Sequence, residues 1–315
     1  MARLNHKHSI HLHMIYRGGV MKNIKFIISF CPILILFFLT FNFFESPKNI
    51  ATFKRYGSPI YKIKSSLLKS SDKNSESYDN DSEKQVIDSV LNIIKYNKWQ
   101  DYRDYIDIQM YYDYIIPDLP EQLILALNLS KDLGVIVIFE EINGNYIFHS
   151  KIENLSPIEK IKFIEHPAKN KKLMMVYQIS DEKLGAFSYR HYMQIFDCDS
   201  QNSNVVLEKT ISGEEIYKEN WVDINASDLE WIMVIEESQV NFDYKNTSEI
   251  NTVTSVKKYR AKSEMIPLKD SFSLIEEKSY KNVYCWSEKY NTFVSDKSAK
   301  DVLSGIITSI KQYEN

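Results

Sequence analysis

Residues 135–152 read Val-Ile-Val-Ile-Phe-Glu-Glu-Ile-Asn-Gly-Asn-Tyr-Ile-Phe-His-Ser-Lys-Ile. Two runs rich in β-branched and aromatic residues, Val135–Ile142 and Asn145–Ile152, flank Asn143-Gly144. Asn-Gly tolerates the two left-handed backbone positions of a type I′ turn, whose twist matches that of paired antiparallel strands. The stretch therefore predicts a β-hairpin. Just upstream, Leu123 to Leu129 is apolar and fits a buried strand.

Downstream, strand-like runs recur at 160–165, 172–180, 187–196, 204–211, 230–237, 251–260 and 271–280, with short polar turns between them. Many short strands and few helices predict an antiparallel β architecture. The expected fold is mainly β over residues 119–294, as a meander, a partial-propeller-like array or a twisted sheet. An N-terminal helix pair, a C-terminal helix and a preceding transmembrane helix complete the expectation.

The helix pair is expected within residues 83–118. Ser82 with Gln85 reads as a capping box, and Ile87, Val90, Leu91 and Ile94 recur at helical spacing up to Tyr96-Asn97. A second short helical stretch would hold Trp99, Tyr102 and Tyr105-Ile106. At the other end, residues 295–315 carry a cap at Ser298 and an apolar stripe of Val302, Ile306, Ile307 and Ile310. That helix is expected to dock on the protein's own sheet, with partner binding as the alternative.

Residues 26–44 hold nineteen positions without a charge, preceded by Lys22 and Lys25. At about 1.5 Å per residue, such a run spans the hydrocarbon core of a bilayer. No small-x-small pattern follows it, and Phe30 before Cys31 does not fit a lipoprotein site. Residues 21–45 are therefore expected to form an uncleaved signal anchor. The N-terminal flank is positive, so the N-terminus is expected inside and the C-terminal domain outside the cytoplasm. Residues 46–82 read as a flexible spacer, Ser-, Asp-, Asn- and Lys-rich over 65–83.

Arg17-Gly18-Gly19-Val20 precedes Met21 and could be encoded by a run resembling a bacterial ribosome-binding site. Translation is therefore expected to start at Met21. Residues 1–20, with His6, His8, His11 and His13, then lie outside the product, and metal binding there is not expected. Abundant Lys, Asn, Ile and Tyr fit an AT-rich bacterial genome.

The chain has 315 residues and a net charge of −3, but the charge is uneven. Residues 1–44 carry five basic side chains and no acid, whereas the remainder nets −8. An acidic domain without a basic stripe argues against a nucleic-acid partner, since neutralising phosphates requires clustered Lys and Arg.

A faint repeat runs through the strands. Its first unit holds LILALNL, VIVIF and YIFHSKI, its second KIKFIE, KKLMMVYQIS, RHYMQIFD and NVVLEKTI. Its third holds WVDI, DLEWIMVIEES, TSVKKYRA and FSLIEEKSY. In this strand order, residues 119–280 resemble the degenerate FG-GAP/VCBS-type β-propeller repeats of bacterial surface proteins. The calcium loop of that family, Asp-x-Asp-x-Asp-Gly, is absent, and only Gly134, Gly144, Gly185 and Gly213 fall in the region. The resemblance implies a surface-exposed binding scaffold.

Candidate chemistry is sparse. Asp197, Asp199, Gln201 and Glu208 alternate in a way that makes a calcium loop worth testing, although Asn202 stands where such a loop needs glycine. Otherwise no cofactor is expected. Cys198 and Cys285 could form a disulfide if the domain lies outside the cytoplasm. His149, His166 and His191 could serve a nucleophilic site, but no GxSxG, HExxH, Walker A or GxGxxG motif accompanies them. The pairs Glu140-Glu141, Glu214-Glu215, Glu236-Glu237 and Glu276-Glu277 are expected mostly at strand ends. Tyr189, Tyr192, Phe196, Trp221, Trp231, Tyr259, Tyr284 and Trp286 could line a ligand or glycan surface, though most are expected in the core.

The expected function is a membrane-anchored, extracytoplasmic binding or interaction protein, held in the membrane by residues 26–44 and meeting protein or glycan at the cell surface. The alternatives are a cell-envelope hydrolase without a recognisable motif and an accessory subunit of a membrane complex.

Overall fold

A computed structural model describes residues 62–72, 75–183, 186–200, 202–243 and 247–295. The expected extension, anchor and C-terminal helix (from residue 296) lie outside the described residues, as do Gly185 and Gln201. Among the described residues no helix is long and apolar enough to cross a membrane.

Two antiparallel sheets make up the fold. Sheet A is five-stranded, in the order β1 (Lys62–Lys64), β5 (Asn145–Leu155), β4 (Leu133–Ile142), β3 (Gln122–Ser130), β2 (Asp107–Asp113). Sheet B has eight strands, whose order follows the chain throughout without a crossover. They are β6 (Ile158–Glu165), β7 (Lys172–Lys183), β8 (Phe187–Cys198), β9 (Ser203–Lys218), β10 (Glu230–Phe242), β11 (Glu249–Lys262), β12 (Ser273–Ser287) and β13 (Thr292–Ser295). Every successive pair among these is a hydrogen-bonded neighbour, so sheet B is a plain meander. The second and third units of the repeat join in this one ladder through β9 and β10 rather than forming separate blades.

The opening hairpin is as expected. Asn143 and Gly144 both have positive φ, 52° and 72°, and Ile142 pairs with Asn145.

Other expectations need correction. The polar stretch 65–83 is not a spacer. It holds β1 before it and the helix α1 (Ser65–Ser71), because Ile63 and Leu68 are buried in the core. The helix α2 (Asn80–Ile94) starts earlier than the expected capping box. Its cap is Asp79, whose carboxylate accepts Asp81 N–H and Ser82 N–H, while Ser82 Oγ donates to the same carboxylate at 2.7 Å. A carboxylate there also complements the positive end of the helix. A 3-10 helix covers Asn97–Tyr105, but residues 107–113 inside the expected helical segment form β2. They do so because β3 needs a partner on its outer edge: Ile108 pairs with Leu127 and Met110 with Leu125. The WVDI run is not a strand either; Glu219–Trp221 is a single 3-10 turn opening a loop.

Packing follows the alternation of side chains along each strand. One face of sheet A (Leu123, Leu125, Leu127, Val135, Val137, Phe139) packs on α1 and α2 through Leu68, Val86, Ile87, Val90, Leu91 and Ile94. Each such side chain contributes roughly 1.5–3 kcal/mol on burial. Helix α2 ends at Lys95, which is left-handed, and Lys151 of β5 donates to the last carbonyl, Ile94 O, at 3.2 Å. Glu153 binds both Lys151 (2.6 Å) and the Tyr96 hydroxyl (2.7 Å), tying the helix end to the sheet.

The other face of sheet A (Ile124, Ala126, Ile136, Ile138) packs on sheet B through Ile161, Met174, Val176 and Phe196. Sheet B then curls, so that Leu173, Met175, Met193 and Ile195 pack against Ile250 and Phe293 from its far strands. Residues 173–176 of β7 are thus buried on both faces. The bend between the sheets is held by Asn128, whose side chain accepts Ile158 N–H at 2.7 Å and donates to Ile158 O at 2.9 Å. Gly134 allows the close approach: a Cβ there would lie 2.7 Å from Ser156 O.

The ends of the two sheets coincide. Lys172 N–H bonds Tyr114 O at 2.8 Å, which sets the β6–β7 turn beside the β2–β3 loop. Since Asp113 pairs with Gln122 and Gln122 with Glu140, the β4–β5 turn and β1 lie at this same end. At the opposite end, Lys131 and Asp132 of the β3–β4 turn share a cleft with Ser180 to Glu182 of β7. Beyond them, Phe187 pairs with Ile216, and the β9–β10 and β11–β12 loops complete that end.

Candidate functional site

The densest buried polar cluster sits under the β6–β7 turn. Asp197 near the end of β8 is 7% exposed and faces Lys171, whose side chain is 1% exposed, in an ion pair. Lys171 also donates to Cys198 O. Lys169 Nζ stands 3.5 Å from Asp197. His166 accepts Ala168 N–H (3.0 Å) and Lys169 N–H (3.1 Å) at Nδ1, so its own proton sits on Nε2, 3.6 Å from Asp197 Oδ2. That is too long for a hydrogen bond but close enough for attraction. Burial alone would raise the Asp197 pKa; the facing His166, Lys171 and Lys169 outweigh it and hold the carboxyl well below the usual range. Trp286 packs its edge against the His166 ring, with centroids 4.7 Å apart.

The His166 side chain is wholly buried, and Lys171 spends its ammonium inside the protein. The cluster therefore locks the β6–β7 turn onto β8. A cleft of about 610 Å³ lies beside it, lined by Tyr114, Asp118, Leu119, Glu165, Lys172 and Lys171 of the cluster itself. Asp118 has φ 62°, which an aspartate tolerates in a turn.

The calcium candidates are not brought together. Asp197 is committed to Lys171. Asp199 accepts Asn202 N–H at 2.6 Å. Glu208 lies three rungs down the β8–β9 ladder from Asp197, roughly 10 Å away. It binds Arg190 at 2.7 Å and Gln194 at 2.8 Å. Among the described residues no three His, Cys, Asp or Glu gather as a metal site. Cys198 and Cys285 are both free. Burial pushes the Cys198 thiol up to about 11, against the lowering effect of the Ser203 hydroxyl.

The remaining histidines stay apart in sequence and strand: His149 lies on β5, and His191 on β8 faces Glu159 at 2.8 Å. Glu140-Glu141 lies at the end of β4, as expected, whereas the other three glutamate pairs lie within strands, because β9, β10 and β12 run longer than their apolar cores. Glu214, Glu236, Glu276 and Glu277 bind Lys269, Lys209, Lys278 and Lys257. Of the aromatics, Tyr192, Phe196 and Trp231 are core, while Trp221 is 54% exposed.

Trp221 belongs to the second notable region, the end of sheet B formed by the loops 219–229 and 263–272. The loops are neighbours: Ser263 N–H bonds Leu229 O at 2.8 Å, and Trp231 Nε1 donates to Ser263 O at 3.0 Å. Below them Trp231 stacks edge-on with Trp221 at 6.1 Å and receives Lys218 over its ring at 5.4 Å. Large apolar side chains stand in solvent on both loops. Val222 and Ile224 are 79% and 90% exposed, and Met265 and Leu268 are 78% and 82% exposed, with Leu229 and Ile266 beside them. Large apolar side chains exposed on two neighbouring loops are the kind of surface at which interaction sites form. Sequence reasoning missed it because it read WVDI as a strand; two apolar clusters without strand or helix period, WVDI and MIPL, were the signal.

Comparison with protein-family models, with curated proteins and with solved structures finds no match for this chain.

Proposed function

We propose that this chain is a membrane-anchored binding module, its β domain held outside a bacterial cytoplasm by residues 26–44. The observation that carries the reading is the opposition of two ends. The described chain begins at Lys62 in β1, at the end that holds the β4–β5 turn. The exposed apolar loops 219–229 and 263–272 stand at the other end. Those loops present large apolar side chains to solvent, which supports the binding reading.

The test is membrane extraction with protease shaving. The native chain should stay in the pellet after alkaline carbonate treatment, be released when residues 26–44 are deleted, and be digested by protease added outside intact cells. Recovery in the soluble fraction, or protection until the cells are lysed, would refute the placement.

A further inference from the structure

We propose that the loop end of sheet B docks a polypeptide that presents an apolar face ringed by lysine or arginine. The inference deepens the binding-module reading but does not depend on where the chain resides.

Charge decides the occupant. The cations near the loops are already engaged by the protein itself: Lys218 lies over the Trp231 ring, and the others pair with glutamates. Glu219 takes Arg260 at 3.2 Å and Lys258 at 3.8 Å, Glu230 takes Lys262 at 3.6 Å, and Glu214 takes Lys269 at 2.7 Å. The acids on the loops themselves are different. Asp223 and Asp228 on the first loop, and Glu264 and Asp270 on the second, are exposed and have no cation within ion-pair distance among the described residues. The Asp223 carboxylate accepts only from Asn225 of its own loop. The apolar surface is therefore bordered by four uncompensated carboxylates.

A rim with an excess of carboxylates over cations selects against two occupants. An anionic bilayer repels it. A second copy would bring like charges face to face, a juxtaposition that suppresses association. A cationic amphipathic polypeptide satisfies both features: its apolar side covers Ile224, Leu268 and Met265, and its lysines pair with the rim.

The test uses the full chain in nonionic detergent, captured on a sensor surface, with a helical peptide of about 18 residues built from leucine and lysine as the probe. The comparison channel carries Trp221→Ser/Ile224→Ser/Leu268→Ser in the same detergent. The wild type should bind the peptide at least about tenfold more tightly than this variant, and the difference should shrink as salt rises from about 50 to about 500 mM. Asp223→Asn/Asp228→Asn, which leaves the apolar residues in place, should also weaken binding and serves as the second variant if the first misfolds. A leucine–glutamate peptide should not bind. Equal binding by wild type and variants, or equal binding of both peptides, overturns the proposal. So does loop-dependent binding to phosphatidylglycerol vesicles, or a wild-type dimer in sedimentation that the variant abolishes.

Discussion

Asp197→Asn leaves the Lys171 ammonium in place but removes the charge that compensates it. Lys171 is 3% exposed and donates otherwise only to a carbonyl, so the variant buries a nearly unpaired charge. Breaking a buried pair in this way costs about 3–5 kcal/mol. A domain of this size has roughly 5–15 kcal/mol in total, so the loss is a large share. Removing both charges, as Lys171→Met with Asp197→Leu, should cost less than the two single changes together, with a coupling of about 1–3 kcal/mol. Guanidinium unfolding followed by tryptophan fluorescence reads the transition, and Trp286 reports locally because it touches His166. The same pair makes an acid-limb prediction. The folded Asp197 pKa lies below its usual 3.8, so its stabilisation is present above that value and is lost as pH falls below it. The variant's stability should therefore fall less steeply in acid than the wild type's. A loss under about 1 kcal/mol for Asp197→Asn, or strict additivity in the double variant, would refute the argument that charge compensation holds this turn.

Gly134→Ala should destabilise by about 1–3 kcal/mol, visible as a lowered Tm, since the new Cβ meets a backbone oxygen that has no rotamer to escape into. Asp79→Ala should cost about 1 kcal/mol by leaving the α2 N-terminus uncapped, with Asp79→Ser recovering most of it. Iodoacetamide should label Cys285 in the native protein and spare Cys198, which is 1% exposed with a thiol pKa of about 11. Peptide mapping after labelling distinguishes the two, and rapid native labelling of Cys198 would contradict its burial.

The β-hairpin at Asn143-Gly144 and the meander after it were legible because their signals are local: turn residues at fixed positions and apolar runs of strand length. What escaped is set by contacts between distant segments. Leu68 is buried, yet it lies among serines and lysines whose composition speaks for disorder. Strand β2 exists because β3 offers an edge, and its own run, with Tyr111, Tyr112 and Asp113, carries no clear alternation. Strands β9 to β12 extend past their apolar centres on cross-strand ion pairs such as Lys257–Glu277, which no single strand displays. The candidate site divides in the same way. Asp197 stood out as an acid in a polar turn, but its partners Lys171 and His166 come from another hairpin, and they turn an apparent metal ligand into a buried clasp.

The plain strand order of sheet B has a mechanical consequence. Load applied at the loops 219–229 and 263–272, and resisted at the far ends of the same strands, runs along β9 to β12. Antiparallel rungs stand perpendicular to that direction, so a pull strains many of them at once in shear. Peeling them one by one would require force across the sheet. A partner tugging on the loops would therefore load these rungs together rather than one after another.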